Sequence, residues 1–153
     1  MFGLLFKYTI DLCPEIRGRM TYKGKPITNL EVSRSLTYSD EDEEVDTTIT
    51  DNDGFFSFPK AQMKSRLPAS IFHEPVIRQV LVLNYQDKNY LVWHFTQKQI
   101  KPHLAIVNIL KQLDVELTNS EIYHDFENIE EPGKLHTAVG ICRWENDFKD
   151  TQP

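Results

Sequence analysis

A chain of 153 residues, 40% apolar and 26% charged, has the size and composition of one soluble globular domain. Its net charge of −6 provides no basic face of the kind that non-specific nucleic-acid binding needs, so nucleic acid is not an expected partner. No run approaches the roughly 18 apolar residues of a membrane span, and the N-terminus lacks the basic lead and cleavage site of a secretory signal, so a cytoplasmic protein is expected before a periplasmic one.

Residues 1–14 form an apolar arm in which Phe2, Leu5 and Phe6 are joined by Met1, Leu4, Tyr8 and Ile10. Such a segment is too sticky to stand in water. It is expected to pack on a sheet, pair as an edge strand, or lie in an interface. Pro14 ends it, a domain is expected over residues 15–145, and residues 146–153 read as a tail. Cys13 and Cys142 lie far apart and in no metal-binding spacing. Two buried thiols are expected, whereas a bridge between them would require an oxidising compartment.

Arg17 to Tyr22 alternates as a first strand, and Lys23-Gly24 supplies a tight turn, after which Pro26 begins the return. Leu30, Val32, Leu36 and Tyr38 share one parity of the next strand, the period of a half-buried antiparallel strand. Arg34 falls on that apolar face, so it must lie near an edge or find a carboxylate. Asp40, Glu41, Asp42, Glu43 and Glu44 are packed like charges that resist burial, and they read as a solvated loop. Val45 to Thr50 is β-branched and reads as a strand. Asp51-Asn52-Asp53-Gly54 is a turn, and Phe55, Phe56 and Phe58 follow as a short strand.

Residues 60–75 read as an irregular connection with room for one helical turn. Val76 to Tyr85 reads as a strand buried on both faces because of its Val80-Leu81-Val82-Leu83 run. Residues 86–89 then form a hairpin loop with Tyr85 and Tyr90 facing each other, and Tyr90 to Phe95 returns. A short helix is expected over about 102–110, with Pro102 in its first turn, then a strand from Leu113 to Leu117. Residues 119–134 read as loop and Leu135 to Trp144 as the last strand. Short strands, closely spaced turns and little helix predict an antiparallel two-sheet sandwich with one short helix.

One stretch is more specific. Gly18-x-x-x-Tyr22-x-Gly24-Lys25-Pro26-Ile27, then Val32, then Thr50-Asp51-x-Asp53-Gly54-Phe55-x-x-Phe58 resembles the carboxypeptidase regulatory-like modules, which have the transthyretin-like (prealbumin-like) β-sandwich fold. Met20 stands where those modules usually carry Val, and Asn29-Leu30 replaces their Gly-Ala. With Ser65-Arg66-Leu67-Pro68 and the late strand, the whole pattern is similar to small bacterial proteins of this sandwich type. The resemblance implies a fold, not a reaction. One transthyretin-like family, the 5-hydroxyisourate hydrolases, ends in Tyr-Arg-Gly-Ser. This sequence ends Asp150-Thr151-Gln152-Pro153, so that activity is not carried over.

Chemistry-bearing motifs are few. Asp51-x-Asp53-Gly54 opens like a calcium loop but has no third acidic position and no downstream bidentate Glu, and it reads as a plain turn. His73, His94, His103, His124 and His136 are scattered without ligand spacing, and Gly-x-Ser-x-Gly does not occur. No catalytic residue, metal or cofactor is expected. The expected function is a non-enzymatic protein-binding module, in its sharpest form an immunity or adaptor protein for a type VI secretion effector or similar bacterial toxin. Its contact residues would be Asp40, Glu41, Asp42, Glu43 and Glu44, which suit a basic partner, together with Phe2, Leu5 and Phe6. The alternatives are an envelope- or carbohydrate-associated module and an enzyme whose His and carboxylate groups converge from distant positions.

Overall fold

Period-two alternation becomes burial. Along Glu31–Tyr38, Val32, Arg34, Leu36 and Tyr38 are buried while Ser33, Ser35 and Thr37 are half-buried on the other face. The computed structural model describes residues 8–39, 43–65 and 75–144. Its strands are β1 (Tyr8–Cys13), β2 (Ile16–Tyr22), β3 (Lys25–Pro26), β4 (Glu31–Tyr38), β5 (Glu44–Ile49), β6 (Phe55–Phe58) and β7 (Ala61–Ser65). They continue with β8 (Ile77–Tyr85), β9 (Lys88–Gln97), β10 (Leu113–Glu116), β11 (Ile122–Glu127) and β12 (Leu135–Gly140), and α1 spans Leu104–Leu110.

The protein is mainly β and sandwich-like. A six-stranded antiparallel sheet runs β11-β12-β9-β8-β4-β5. A second sheet is built on β2, which pairs antiparallel with β3 and β6 and parallel with β10. Gly18 permits this crowding: a Cβ there would meet the Phe56 ring at 2.8 Å and the Leu113 carbonyl oxygen at 2.9 Å. The core joins Trp93, Phe95, Phe126, Leu81 and Val32 of the first sheet to Met20, Phe58 and Val115 of the second, with Ile106 and Leu110 of α1.

β1 pairs with β7 and buries Ile10, Leu12 and Cys13, so residues 8–13 are part of the folded unit. Buried glutamines fasten it. Gln79 donates from Nε2 to the Leu12 carbonyl at 3.1 Å and Gln97 to the Asp11 carbonyl at 3.0 Å, while Trp93 Nε1 donates to Gln79 Oε1 at 3.3 Å. Cys13 is a free thiol, pushed up to about 12 by burial against the opposing influence of Arg34.

Four expectations are corrected. The connection after Pro59 contains β7, which alternation alone does not reveal because its partner lies at the other end of the first half-chain. The Val80–Leu83 run is buried on one face: Leu81 and Leu83 are inside, Val82 is exposed and Val80 half-buried. The hairpin loop is two residues, Gln86 and Asp87, both with positive φ, so Tyr85 faces Lys88 and Tyr90 faces Leu83. Residues 122–127, expected as loop, form β11 because His124 and Phe126 turn inward. A register shift at Leu81–Val82 lets the neighbours Val92 and Trp93 both be buried.

Arg34 does find a carboxylate. Its Nε and Nη2 donate to Asp46 Oδ1 and Oδ2 at 2.9 and 2.6 Å, its Nη1 donates to the Pro59 carbonyl at 2.7 Å, and its guanidinium lies 4.8 Å from the Phe58 ring centroid. Replacing Asp46 by Asn leaves a buried cation unpaired. Urea denaturation of D46N is expected to show a loss of about 3 kcal/mol, and a loss under about 1 kcal/mol removes this role.

Glu116 seals the β2–β3 turn from outside, accepting from the Gly24 N–H at 2.7 Å, the Lys23 N–H at 3.1 Å and the Thr118 hydroxyl at 2.6 Å. Burial would raise this carboxyl, but the hydrogen bonds win and hold it down at about 2. Its stabilisation is present above the unfolded value near 4.5 and fades as pH falls toward 2. E116Q is expected to cost about 2 kcal/mol at pH 7 and much less at pH 3, measured by urea denaturation at the two pH values.

Candidate functional site

β5 is the outer strand of the six-stranded sheet. Its pairing with β4 is regular from Glu31↔Ile49 to Leu36↔Glu44, and among the described residues no strand pairs with its other side. Asp46 turns inward to Arg34, so the opposite parity faces out: Val45 is 57% and Ile49 56% exposed. Proteins usually blunt such an edge with Pro, Lys or a bulge. None of these occurs along Glu44–Ile49, and its inward-pointing charge, Asp46, is spent on Arg34. Unpaired backbone groups beside β-branched side chains form a template for an added strand.

The two ends of β5 differ in charge. At the start, Glu43 and Glu44 are exposed, and Glu43 accepts a hydrogen bond from the Ser35 hydroxyl. At the other end, a groove of about 770 Å³ is lined by Ile49, Phe55, Arg17, Arg19 and Lys111. Arg19 is aimed there by its Nε, which donates to the Asp53 carbonyl at 2.9 Å, and its guanidinium lies 5.5 Å from the Phe55 ring centroid. Asp51–Gly54 is a turn: Asp51 Oδ1 accepts from the Asp53 and Phe55 N–H groups, both at 2.9 Å, and Gly54 has φ +83°.

Of the residues expected at a contact surface, Glu43 and Glu44 flank this edge. Asp40, Glu41, Asp42, Phe2, Leu5 and Phe6 lie outside the described residues. The sequence marks β5 as a strand but carries no sign that it is the outermost one, since that depends on which strand does not come to its far side.

A second feature has no signal in the sequence spacing. His103, just before α1, and His136, on β12, meet with ring centroids 4.4 Å apart, edge-on to Phe95. They border a cleft of about 800 Å³ with Glu130, Asn128, Lys98 and Lys134. Asn128 Oδ1 accepts from the Glu130 and Glu131 N–H groups, both at 3.0 Å, and so aims Glu130 at the helix start. There Glu130 Oε1 accepts from the Leu104 N–H at 2.9 Å and lies 3.6 Å from His103 Nδ1. His103 Nδ1 and His136 Nε2 are buried without a hydrogen-bond partner. Among the described residues no three His, Cys, Asp or Glu side chains are placed to hold a metal ion.

Burial depresses both imidazoles below the usual histidine range. Glu130 opposes this for His103, whereas for His136 the neighbouring His103 adds to it. A depressed histidine contributes nothing to the pH dependence above about 6.5, where both states are neutral, and costs stability as pH falls below that, because the unfolded chain takes up protons the folded one refuses. The urea midpoint is therefore expected to fall between pH 7 and pH 5, before the glutamates titrate. H136Q should flatten that slope, and an unchanged slope contradicts the assignment.

The family model described as a domain of unknown function, DUF6795, matches residues 16–120. That span holds β2 to β10, including β5 and the lining of the groove at its end. No curated protein and no solved structure matches the chain. Among the described residues no helix is long and apolar enough to cross a membrane.

Proposed function

The chain belongs to the DUF6795 family of domains of unknown function, and we propose that it is a non-enzymatic module that binds an extended segment of another protein along β5, with basic groups beside Glu43 and Glu44. The observation that carries this reading is the unblunted outer edge of β5, with Val45 and Ile49 exposed beside it and Glu43 and Glu44 at its start. Main-chain hydrogen bonds supply affinity in such a mode, and acidic side chains speed the encounter with a basic partner. The likeness of Gly18–Phe58 to carboxypeptidase regulatory-like modules accords with a binding role. In its most specific form the partner is a bacterial toxin such as a type VI secretion effector, and the chain is its immunity or adaptor protein. Occlusion of a toxin needs a complementary surface and no chemistry. A purified complex that leaves the toxin active removes the immunity version.

A second reading, an enzyme, draws support from the meeting of His103, His136 and Glu130 in one cleft. It ranks lower because Glu130 is engaged in capping Leu104 and the unpartnered nitrogens are sealed from solvent. Capping explains the cluster without a reaction.

Fluorescence anisotropy tests the first reading with a labelled, alternating Thr/Val peptide flanked by lysines. It is expected to bind, and E43Q/E44Q should weaken it about fivefold, the worth of roughly 1 kcal/mol of exposed ion pairing. The same peptide with N-methylated backbone amides should lose binding. Equal binding by the N-methylated peptide overturns strand addition.

A further inference from the structure

We infer that the segment received by β5 carries opposite charges at its two ends: basic where it passes Glu43 and Glu44, and acidic where it enters the groove of Arg17, Arg19 and Lys111. This inference rests on the reading of β5 as a docking edge and adds the chemistry of its occupant.

Distance and neutralisation separate the two ends of β5. A six-residue strand extends about 20 Å, whereas charges in physiological salt are screened over about 8 Å. The ends of β5 are thus read separately by anything lying along it. Its middle is electrically quiet, because the inward Asp46 is matched by Arg34 at 2.6 Å and the outward side chains are Val45, Thr47 and Ile49. At the far end Glu15 is matched by Arg17 at 3.1 Å, and the one other carboxylate in the lining, Asp51, stands against two cations, Arg19 and Lys111. Arg19 spends only its Nε, on the Asp53 carbonyl, and Lys111 pairs with no carboxylate among the described residues. Positive charge therefore remains in the groove of a chain whose net charge is −6.

A uniformly basic segment satisfies one end of this edge and is repelled at the other. A second copy of this chain fits less well. An antiparallel twofold pairing must oppose residues of equal parity, since paired side chains share a face. Centred on Thr47 it sets Glu43 against Asp51. Like charges directly opposed destabilise a pair.

The test uses labelled peptides with one alternating Thr/Val core and three kinds of flank: lysine at one end with glutamate at the other, lysine at both ends, and glutamate at both ends. Anisotropy with the full chain is expected to rank the mixed peptide about fivefold above the lysine-only peptide. R19E/K111E, or K111E alone should the pair fail to fold, is expected to reverse that order. E43K/E44K is expected to favour the glutamate-only peptide. If R19E/K111E keeps the wild-type order while N-methylated peptides still fail to bind, the edge remains a docking strand and the two-ended charge is wrong. If no peptide binds, docking at β5 and the inference fall together. Tighter binding of a peptide with the β5 sequence than of the mixed peptide makes a second copy the occupant and overturns the inference.

Discussion

A guanidinium on the inner face of a β-strand has to be matched, and much of this protein follows from that requirement. Arg34 is 2% exposed among Val32, Leu36 and Phe58. An unpaired charge there would be prohibitive, so β5 must present Asp46 to it. That contact fixes the phase of β5 and therefore sends Val45, Thr47 and Ile49 outward. The same cation also binds the Pro59 carbonyl, which ties the end of β6 to the first sheet. A buried polar contact thus sets the strand phase that leaves Val45 and Ile49 exposed along the outer strand.

The other polar contacts in the interior work in a similar way, by tethering segments distant in sequence. Gln79 and Gln97 hold the backbone of β1, Glu116 gathers the β2–β3 turn, and Glu130 caps α1 from the β11–β12 loop. Each satisfies main-chain groups that the local sequence leaves open. His103 has no side-chain capping bond of its own, so the helix start depends on a glutamate from another element.

The sequence makes legible whatever depends on neighbours in the chain. Alternation locates β2 and β4, and β-branched residues locate β5. Lys23-Gly24 and Asp51–Gly54 mark turns because their backbones need positive φ or Asx bonding, and Pro102 with the Leu104–Leu110 spacing marks α1. Arg34 even announces its need for a carboxylate. What is not legible depends on distant partners. β7 is a strand because β1 lies beside it, β11 because β12 does, and Val82 is exposed because none of the described residues covers it. For the candidate site, composition exposes Glu43 and Glu44, but the open edge of β5 and the meeting of His103 with His136 are products of topology alone.

The parallel pairing of β10 with β2 has a consequence during synthesis. Leu113 lies beside Gly18 and Glu116 beside Thr21, so the first strand of the second sheet waits for a partner made long after it. The β8–β9 hairpin can zip as soon as it emerges, since Tyr85 pairs with Lys88, and β2 pairs early with β3 across a tight turn. The β10 side of β2 cannot, because closing so long a loop costs entropy that only the completed pairing returns. As the chain leaves the ribosome, β4, β5, β8 and β9 have therefore all been made before β10 can join β2. The nascent protein passes through a stage in which the outer strand β5 has been made while β2 still lacks its parallel partner.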